Sequence, residues 1–474
     1  MSVPYSTEEI IGYKADNERR VREAALRGDV FVDGMPLKVT MELTADCNLF
    51  CRMCEFPAPR EEGRSKGYEL DMRSELYEVL APQVLPHALM VNLTVVGEPL
   101  MVPYLDRVLE GAKDWCTRIE FITNGMMLDR AMIERVGPQA AAMIISFDGG
   151  TRRTFNRIRI GADFDIITRN MLLFQRWREA LPAGSFRPAM HMNVTLMREN
   201  VEELATIVRV AKLLGVDRVN AAWMIAFNTK IANSSCFRHK AVANASMRHA
   251  HRVADEIGMD LVTPTEIPGA TEAEIAAVVV QEPVLPDGPL PHLNVMLAGG
   301  DAPDLVAAPA AAEESFHELG ANIPDAAQSG VLAEVNGQTL QNERAYGSPL
   351  QQDAGERRMQ AQVACSPAPV LGVGVPAEPP SAGGRYTCKF LWNELFVSLT
   401  GDVAPCCIQG RPVVGNIHKE SLSLIWNGPM MKEMRQRLLD GDPVPCCKDC
   451  NYNTQLGQGT YREDTFFIQL DRKF

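Results

Sequence analysis

Between residues 36 and 226, short apolar runs rich in β-branched residues alternate with stretches whose apolar positions recur at helical spacing. The strand-like runs are LKVTMEL (37–43), VNLTVV (91–96), RIEFIT (118–123), MIISFD (143–148), MHMNVTL (190–196) and RVNAAWMI (218–225). Between them, segments such as PYLDRVLEGAKDW and NVEELATIVRVAKLLG repeat apolar residues every three or four positions, which predicts amphipathic helices. Strand followed by helix, six times over, predicts an α/β fold: a partial (β/α)6, TIM-like barrel over 36–264. In such a barrel the chemistry sits at the C-terminal ends of the strands.

The fifth strand carries His191, Asn193 and Thr195 on one face and Met192, Val194 and Leu196 on the other. A polar inner face predicts a cavity inside the barrel; the alternative is a face that meets solvent. The thirty-five residues before the first strand predict one or two short helices, an extension over 1–35. A helix near 240–257 and a short strand at DLVTP follow the sixth strand.

The pattern then changes. From Thr271 to Gly384 the chain holds thirteen of its thirty-one prolines and only two aromatics, Phe316 and Tyr346. Fifteen acidic residues face three arginines and no lysine there, so nearly all of the formal net charge of −13 belongs to this segment. Such a composition buries too little apolar surface to offset the entropy of ordering, and 265–384 reads as a flexible insert. Order returns in WNELFVSLTGDVAPCC, two strands joined at Gly401–Asp402, and in SLIWNGPMMKEMRQRLLDG, one amphipathic helix ending at Gly441. These predict a small C-terminal domain over 385–455, a β-hairpin plus helix, with a tail over 456–474.

Composition narrows the setting. The sequence has 474 residues, 46% of them hydrophobic, enough for two or three domains. No apolar run approaches the length of a membrane span, and the N-terminus has no signal-peptide pattern, so a cytoplasmic protein is expected. The acidic balance argues against a nucleic-acid partner. Twelve cysteines in a reducing compartment point to metal ligation rather than disulfides.

Three of them, Cys47, Cys51 and Cys54, form C-x₃-C-x₂-C in the loop leaving the first strand. A zinc site needs a fourth ligand from elsewhere, such as a histidine. A four-iron cluster held by three cysteines instead keeps one iron open for a small molecule. Four others are Cys388, Cys406, Cys447 and Cys450, spaced C-x₁₂-G-x₄-C and, forty residues on, C-x₂-C. They suit either a zinc ribbon or an iron–sulfur cluster.

The trio in its loop resembles the radical SAM superfamily signature, with Met53 where an aromatic residue is usual. Val96-Gly97-Glu98-Pro99 after strand two, TNG (123–125) after strand three, Ser146 and Asp148 at strand four, and FNRIRIGADF are similar to that family's elements, in order. The C-terminal cysteines, with GNI (415–417) and IWN (425–427), resemble a SPASM/Twitch auxiliary domain in its shorter, four-ligand form. The resemblance implies two 4Fe–4S clusters per chain and S-adenosylmethionine as cofactors. It implies cofactor contacts at Gly97, Glu98, Asn124, Ser146 and Asp148, and an electron donor such as flavodoxin or ferredoxin. It also implies reductive cleavage of S-adenosylmethionine and hydrogen-atom abstraction by the 5′-deoxyadenosyl radical, in a net oxidation.

The spacing of the auxiliary cysteines is similar to that of the family's aminocyclitol-oxidising members, and the thirty-five residues before the first strand are fewer than the roughly eighty of a leader-recognition domain often found in peptide-modifying relatives. Together these suggest a small polar, sugar-like substrate, with His191, Asn193 and Glu120 as candidate catalytic groups. Maturation of a ribosomally made peptide is the alternative, and a non-catalytic iron–sulfur or zinc regulator a remote one.

Overall fold

The computed structural model describes residues 4–54, 56–226, 229–283, 290, 388, 390–407 and 411–448. Most of the expected insert, the whole of the tail over 456–474, and Cys450 lie outside the described residues. The strands are β1 (Lys38–Met41), β2 (Met90–Asn92), β3 (Arg118–Thr123), β4 (Ala140–Ser146), β5 (Ala189–Leu196), β6 (Arg218–Trp223) and β7 (Asp260–Val262). The C-terminal part adds β8 (Glu394–Val397), β9 (Asp402–Ala404) and β10 (Gly415–Asn416). All ten form one sheet in the order β10-β9-β8-β1-β2-β3-β4-β5-β6-β7. β1 to β7 pair in parallel, joined by helices, as alternating strand and helix patterns require. The core of β4 reads AAAMII, apolar on both faces, as a parallel strand covered on both sides should.

The C-terminal part is not a separate body beside the barrel. β8 pairs in parallel with β1, matching Lys38 to Glu394 and Met41 to Val397, and β9 turns back antiparallel on β8. Gly401, at φ 79°, makes the turn with a left-handed conformation that favours glycine.

A single helix, Thr7–Arg27, replaces the one or two short helices expected at the N-terminus. Ser6 and Glu9 form a capping box at its start, and Gly28 closes it in a left-handed C-cap. Its buried stripe of Ile10, Lys14, Asn17, Val21 and Ala24 lies against the base of the barrel. Lys14 Nζ donates to the Ala88 carbonyl and to Thr117 Oγ1, just before β2 and β3. Asn17 exchanges hydrogen bonds with the backbone of Met35, just before β1. The base is thereby sealed on the side away from the cysteine loop.

The long helix expected over SLIWNGPMMKEMRQRLLDG is two, Leu422–Trp426 and Pro429–Leu439. Pro429 has no N–H to continue the first helix but is well suited to open the second, with Gly428 as N-cap. Residues 265–283, the start of the expected flexible insert, are tied down locally. Asn244 exchanges hydrogen bonds with the Ile267 backbone, and the helix Glu272–Ala276 has a Thr271–Glu274 capping box.

Two side chains test this packing. His191 is buried on β5, beside Arg218 in the β5–β6 register. Burial, with Arg218 and Arg178 nearby, pulls its imidazole from 6.5 down to about 4, while Asp217 and Asp260 pull the other way. Between those two values the unfolded chain binds the extra proton. The stability His191 contributes is therefore complete above 6.5 and is lost as pH falls toward 4. His191→Gln is expected to flatten that acid limb by about 3 kcal/mol in urea unfolding; an unchanged limb contradicts this reading.

Arg435 is fully buried and stacks over Trp426 at 4.4 Å. Its guanidinium donates to the carbonyls of Leu391, Val30 and Trp426 and to Asn427 Oδ1. Arg435→Ala leaves all four acceptors without that donor and is expected to destabilise the chain by about 3 kcal/mol. Arg435→Lys, lacking the planar fork, should recover only part of this. A loss below about 1 kcal/mol would show that the brace is dispensable.

Candidate active site

The cysteine loop follows β1 and is held from both sides by backbone bonds. Phe50 N–H donates to the Ile160 carbonyl and Arg52 N–H to the Ile158 carbonyl. Within the loop, Cys54 N–H donates to the Cys51 carbonyl at 3.1 Å, and Asp46 Oδ1 accepts from Cys47 N–H at 2.8 Å. Cys47, Cys51 and Cys54 all line one cavity inside the barrel. Arg60 pins the same loop by donating to the Leu49 carbonyl.

The Val96-Gly97-Glu98-Pro99 turn lies directly on this loop. A Cβ at Gly97 would collide with the carbonyl oxygens of Thr44 and Asp46, so only glycine lets the two backbones approach. Glu98 N–H donates to the Asp46 carbonyl at 2.7 Å. Its buried carboxylate accepts from Thr123 Oγ1 at 2.6 Å, Asn124 N–H at 2.8 Å and Leu100 N–H at 3.2 Å. Burial pushes this carboxyl up to about 7, against those donors. Glu98 therefore ties the loops after β1, β2 and β3 to one another. Asn124, so placed, donates to Asn48 Oδ1 at 2.7 Å and reaches Cys47 Sγ at 3.7 Å.

Ser146, at the end of β4, faces the cavity. Asp148 is fully buried: one oxygen accepts from Thr195 N–H at 2.6 Å and the other pairs with Arg159 Nε at 2.7 Å. Arg159 in turn reaches Cys51 Sγ at 3.8 Å. The sequence singled out Asp148 but not Arg159, although Arg159 stands inside the quoted FNRIRIGADF. An arginine at strand-end distance from a cysteine loop carries no periodic signal of its own.

Of the candidate catalytic residues, Asn193 and Glu120 line the cavity and His191 does not. His191 shares the face of Asn193 but lies nearer the base, among Arg178, Asp217 and Arg218. Lys38, which sequence patterning missed, lines the cavity with its Nζ 2.7 Å from Glu120 Oε1. Cys406 and Cys407 reach the same cavity from the C-terminal hairpin. Cys388 and Cys447 are half-buried and pack against the main core.

The cysteine trio suits iron–sulfur chemistry. Three thiols share one wall, and Asn124 and Arg159 aim N–H groups at two of the sulfurs, the kind of hydrogen bond that tunes a cluster. Burial pushes the Cys51 thiol up to about 12 and raises the Cys47 and Cys54 thiols too. Among the described residues, no group of three His, Cys, Asp or Glu side chains is gathered around a single-ion position.

A family model for SPASM, an iron–sulfur cluster-binding domain, matches residues 388–451. The tungsten-containing aldehyde ferredoxin oxidoreductase cofactor-modifying protein of Pyrococcus furiosus is 24% identical over 179 residues, 37% of this chain and 48% of that protein. The PqqA peptide cyclase of Rhodopseudomonas palustris is 27% identical over 190 residues, 40% of this chain and 47% of that protein. The chain thus spans about half the length of these curated relatives. The solved structure of Streptococcus suis SuiB bound to precursor peptide SuiA has 12% identity and a TM-score of 0.46, covering 91% of this chain and 72% of that one. No described helix is long and apolar enough to cross a membrane. What the comparisons identify in this chain is a SPASM-type iron–sulfur cluster-binding domain, residues 388–451, C-terminal to a parallel βα partial barrel that carries the cysteine trio.

Proposed function

We propose that this enzyme modifies a peptide by radical chemistry. The reading corrects the expectation of a small, sugar-like or aminocyclitol-like substrate and partner. That expectation rested on cysteine spacing and on what precedes the barrel, and the match to a PqqA peptide cyclase speaks against it. The observation that carries the proposal is the shared cavity: the cysteine trio and the hairpin cysteine Cys406 line the same space.

A 4Fe–4S cluster on Cys47, Cys51 and Cys54, when bound, supplies the electron that cleaves S-adenosylmethionine and so furnishes the hydrogen-abstracting radical. Cys388, Cys406, Cys447 and Cys450 are the proposed holders of a second cluster. The chain's own residues do the positioning. Gly97 lets the turn after β2 lie on the cysteine loop, where its backbone can meet the cofactor's amine. Asn124 and Arg159 donate toward Cys47 and Cys51, and Asp148 holds Arg159 in that orientation. Ser146 offers a hydroxyl on the cavity wall for the cofactor. Asn193 and Glu120 line the cavity, which supports a role in meeting substrate, whereas His191 lies toward the base of the barrel.

The test is deuterium transfer. The full chain, anaerobically loaded with iron and sulfide and reduced, is incubated with S-adenosylmethionine and either deuterated peptide libraries or deuterated sugar and aminocyclitol pools. Deuterium should appear in 5′-deoxyadenosine from peptide, with a matching change in peptide mass. Transfer from small metabolites and from no peptide would overturn the proposal.

A further inference from the structure

The cysteine loop and the helix beside it present three exposed arginines to solvent. Arg52 stands between Cys51 and Cys54, and its backbone N–H donates to the Ile158 carbonyl. Phe50 N–H donates to the Ile160 carbonyl in the same way, so residues 50–52 run beside 158–160. The second segment ends the helix Arg152–Ile158, on which Arg153 and Arg157 lie four residues apart and share a face. Arg52, Arg153, Arg157 and Ile160 are all exposed. Among the described residues, none of these three guanidinium groups has an acidic or hydrogen-bonding partner.

Other cations around the loop are engaged. Arg64 pairs with Asp46 and Glu61, Lys66 with Glu62, and Arg159 with Asp148. Arg152 holds both oxygens of Asp165, and Arg60 is buried on the Leu49 carbonyl. Acid is not scarce, since sixty Asp and Glu stand against forty-seven Lys and Arg. Like charges at i and i+4 on a helix repel, so the Arg153–Arg157 pair is unfavourable in the free chain. An acidic surface brought against the patch relieves that repulsion and is steered to it. Ile160, 38% exposed on the paired segment, adds the apolar contact that docking faces combine with charge. Directly behind lie Cys51 and Cys54, which line the cavity. Patch and thiols share the same few residues of backbone, and electron transfer falls steeply with distance.

We propose that Arg52, Arg153, Arg157 and Ile160 form the docking face for a small acidic electron-carrier protein. The inference rests on the cluster proposed for Cys47, Cys51 and Cys54, and it is independent of the peptide reading. In one encounter the carrier is oxidised by one electron and that cluster is reduced by one; no bond forms or breaks. A nucleic acid also meets arginines, but the formal net charge of −13 repels a long polyanion and leaves a compact acidic protein as the better fit.

The experiment measures binding first. An oxidised acidic flavodoxin and an oxidised acidic ferredoxin are titrated by calorimetry into the anaerobically iron-loaded full chain. At least one should bind, with Kd rising about tenfold or more from low to high salt. Arg52→Glu, Arg153→Glu and Arg157→Glu together, at wild-type iron content, should weaken that binding about tenfold or more. Lys113→Glu, Arg209→Glu and Arg252→Glu, the same charge change at exposed positions of other helices, should leave it within about threefold. With the reduced carrier the patch variant should form 5′-deoxyadenosine more slowly by a similar factor, and with dithionite at the wild-type rate. Binding of neither carrier, equal losses in the two triple variants, or binding of an RNA duplex in place of both carriers would overturn the docking face. If Arg52→Glu lowers iron loading, Arg153→Glu with Arg157→Glu leaves the cysteine loop intact and should still weaken binding about threefold or more. No 5′-deoxyadenosine from the wild-type chain with dithionite would mark failure of the cluster reading itself, and the docking face would fall with it.

Discussion

Parallel pairing of β1 with β8 is the constraint on which the rest of the molecule depends. Four residue pairs, from Lys38–Glu394 to Met41–Val397, join the first barrel strand to a strand that begins more than three hundred and fifty residues later. Because the sheet continues through this seam, the C-terminal hairpin is placed by backbone hydrogen bonds rather than by a flexible tether. Cys406 and Glu394 then face the cavity that the cysteine trio faces. Arg435 and Trp392 brace the seam from outside, bonding to Val30 and Asp29 just ahead of β1.

At the opposite end of the strands, a second constraint is the close approach of two loops. Gly97 packs on Thr44 and Asp46, and Glu98 bonds Asp46, Thr123 and Asn124. Three consecutive strand-end loops are thus tied to one another. Their polar atoms mostly satisfy each other, which leaves the thiols, Ser146 and the backbone of the turn to meet a cofactor. Asp148 follows the same logic: its oxygens hold Thr195 and Arg159, and its influence on the site passes through Arg159.

Much of this was legible in the sequence, for reasons that are local. Period-two and period-3.6 patterns reveal strands and helices, and so the six barrel strands and the hairpin stood out. Cysteine spacing is equally local, and it alone singled out the trio and the C-terminal cysteines as candidate ligands. What the pattern could not convey is depth along a strand. His191, Asn193 and Thr195 alternate identically, yet only the latter two line the cavity. Partners distant in sequence were also invisible: Lys38 with Glu120, Arg159 with Asp148, and β1 with β8. The substrate expectation failed because its clues, cysteine spacing and the stretch before the barrel, bear on cluster ligation and domain content rather than on the groups that would meet a substrate.

The central proposal is that the cysteine trio and the C-terminal cysteines, of which Cys406 lines the trio's cavity, each hold an iron–sulfur cluster, the first of which cleaves S-adenosylmethionine. Iron per chain after anaerobic loading tests this most directly. The account predicts about eight irons in the intact chain. With Cys47, Cys51 and Cys54 replaced together by Ala, about four should remain and 5′-deoxyadenosine formation should cease. About four irons with one zinc in the intact chain would contradict the second cluster, and 5′-deoxyadenosine formation by the triple variant would contradict the first.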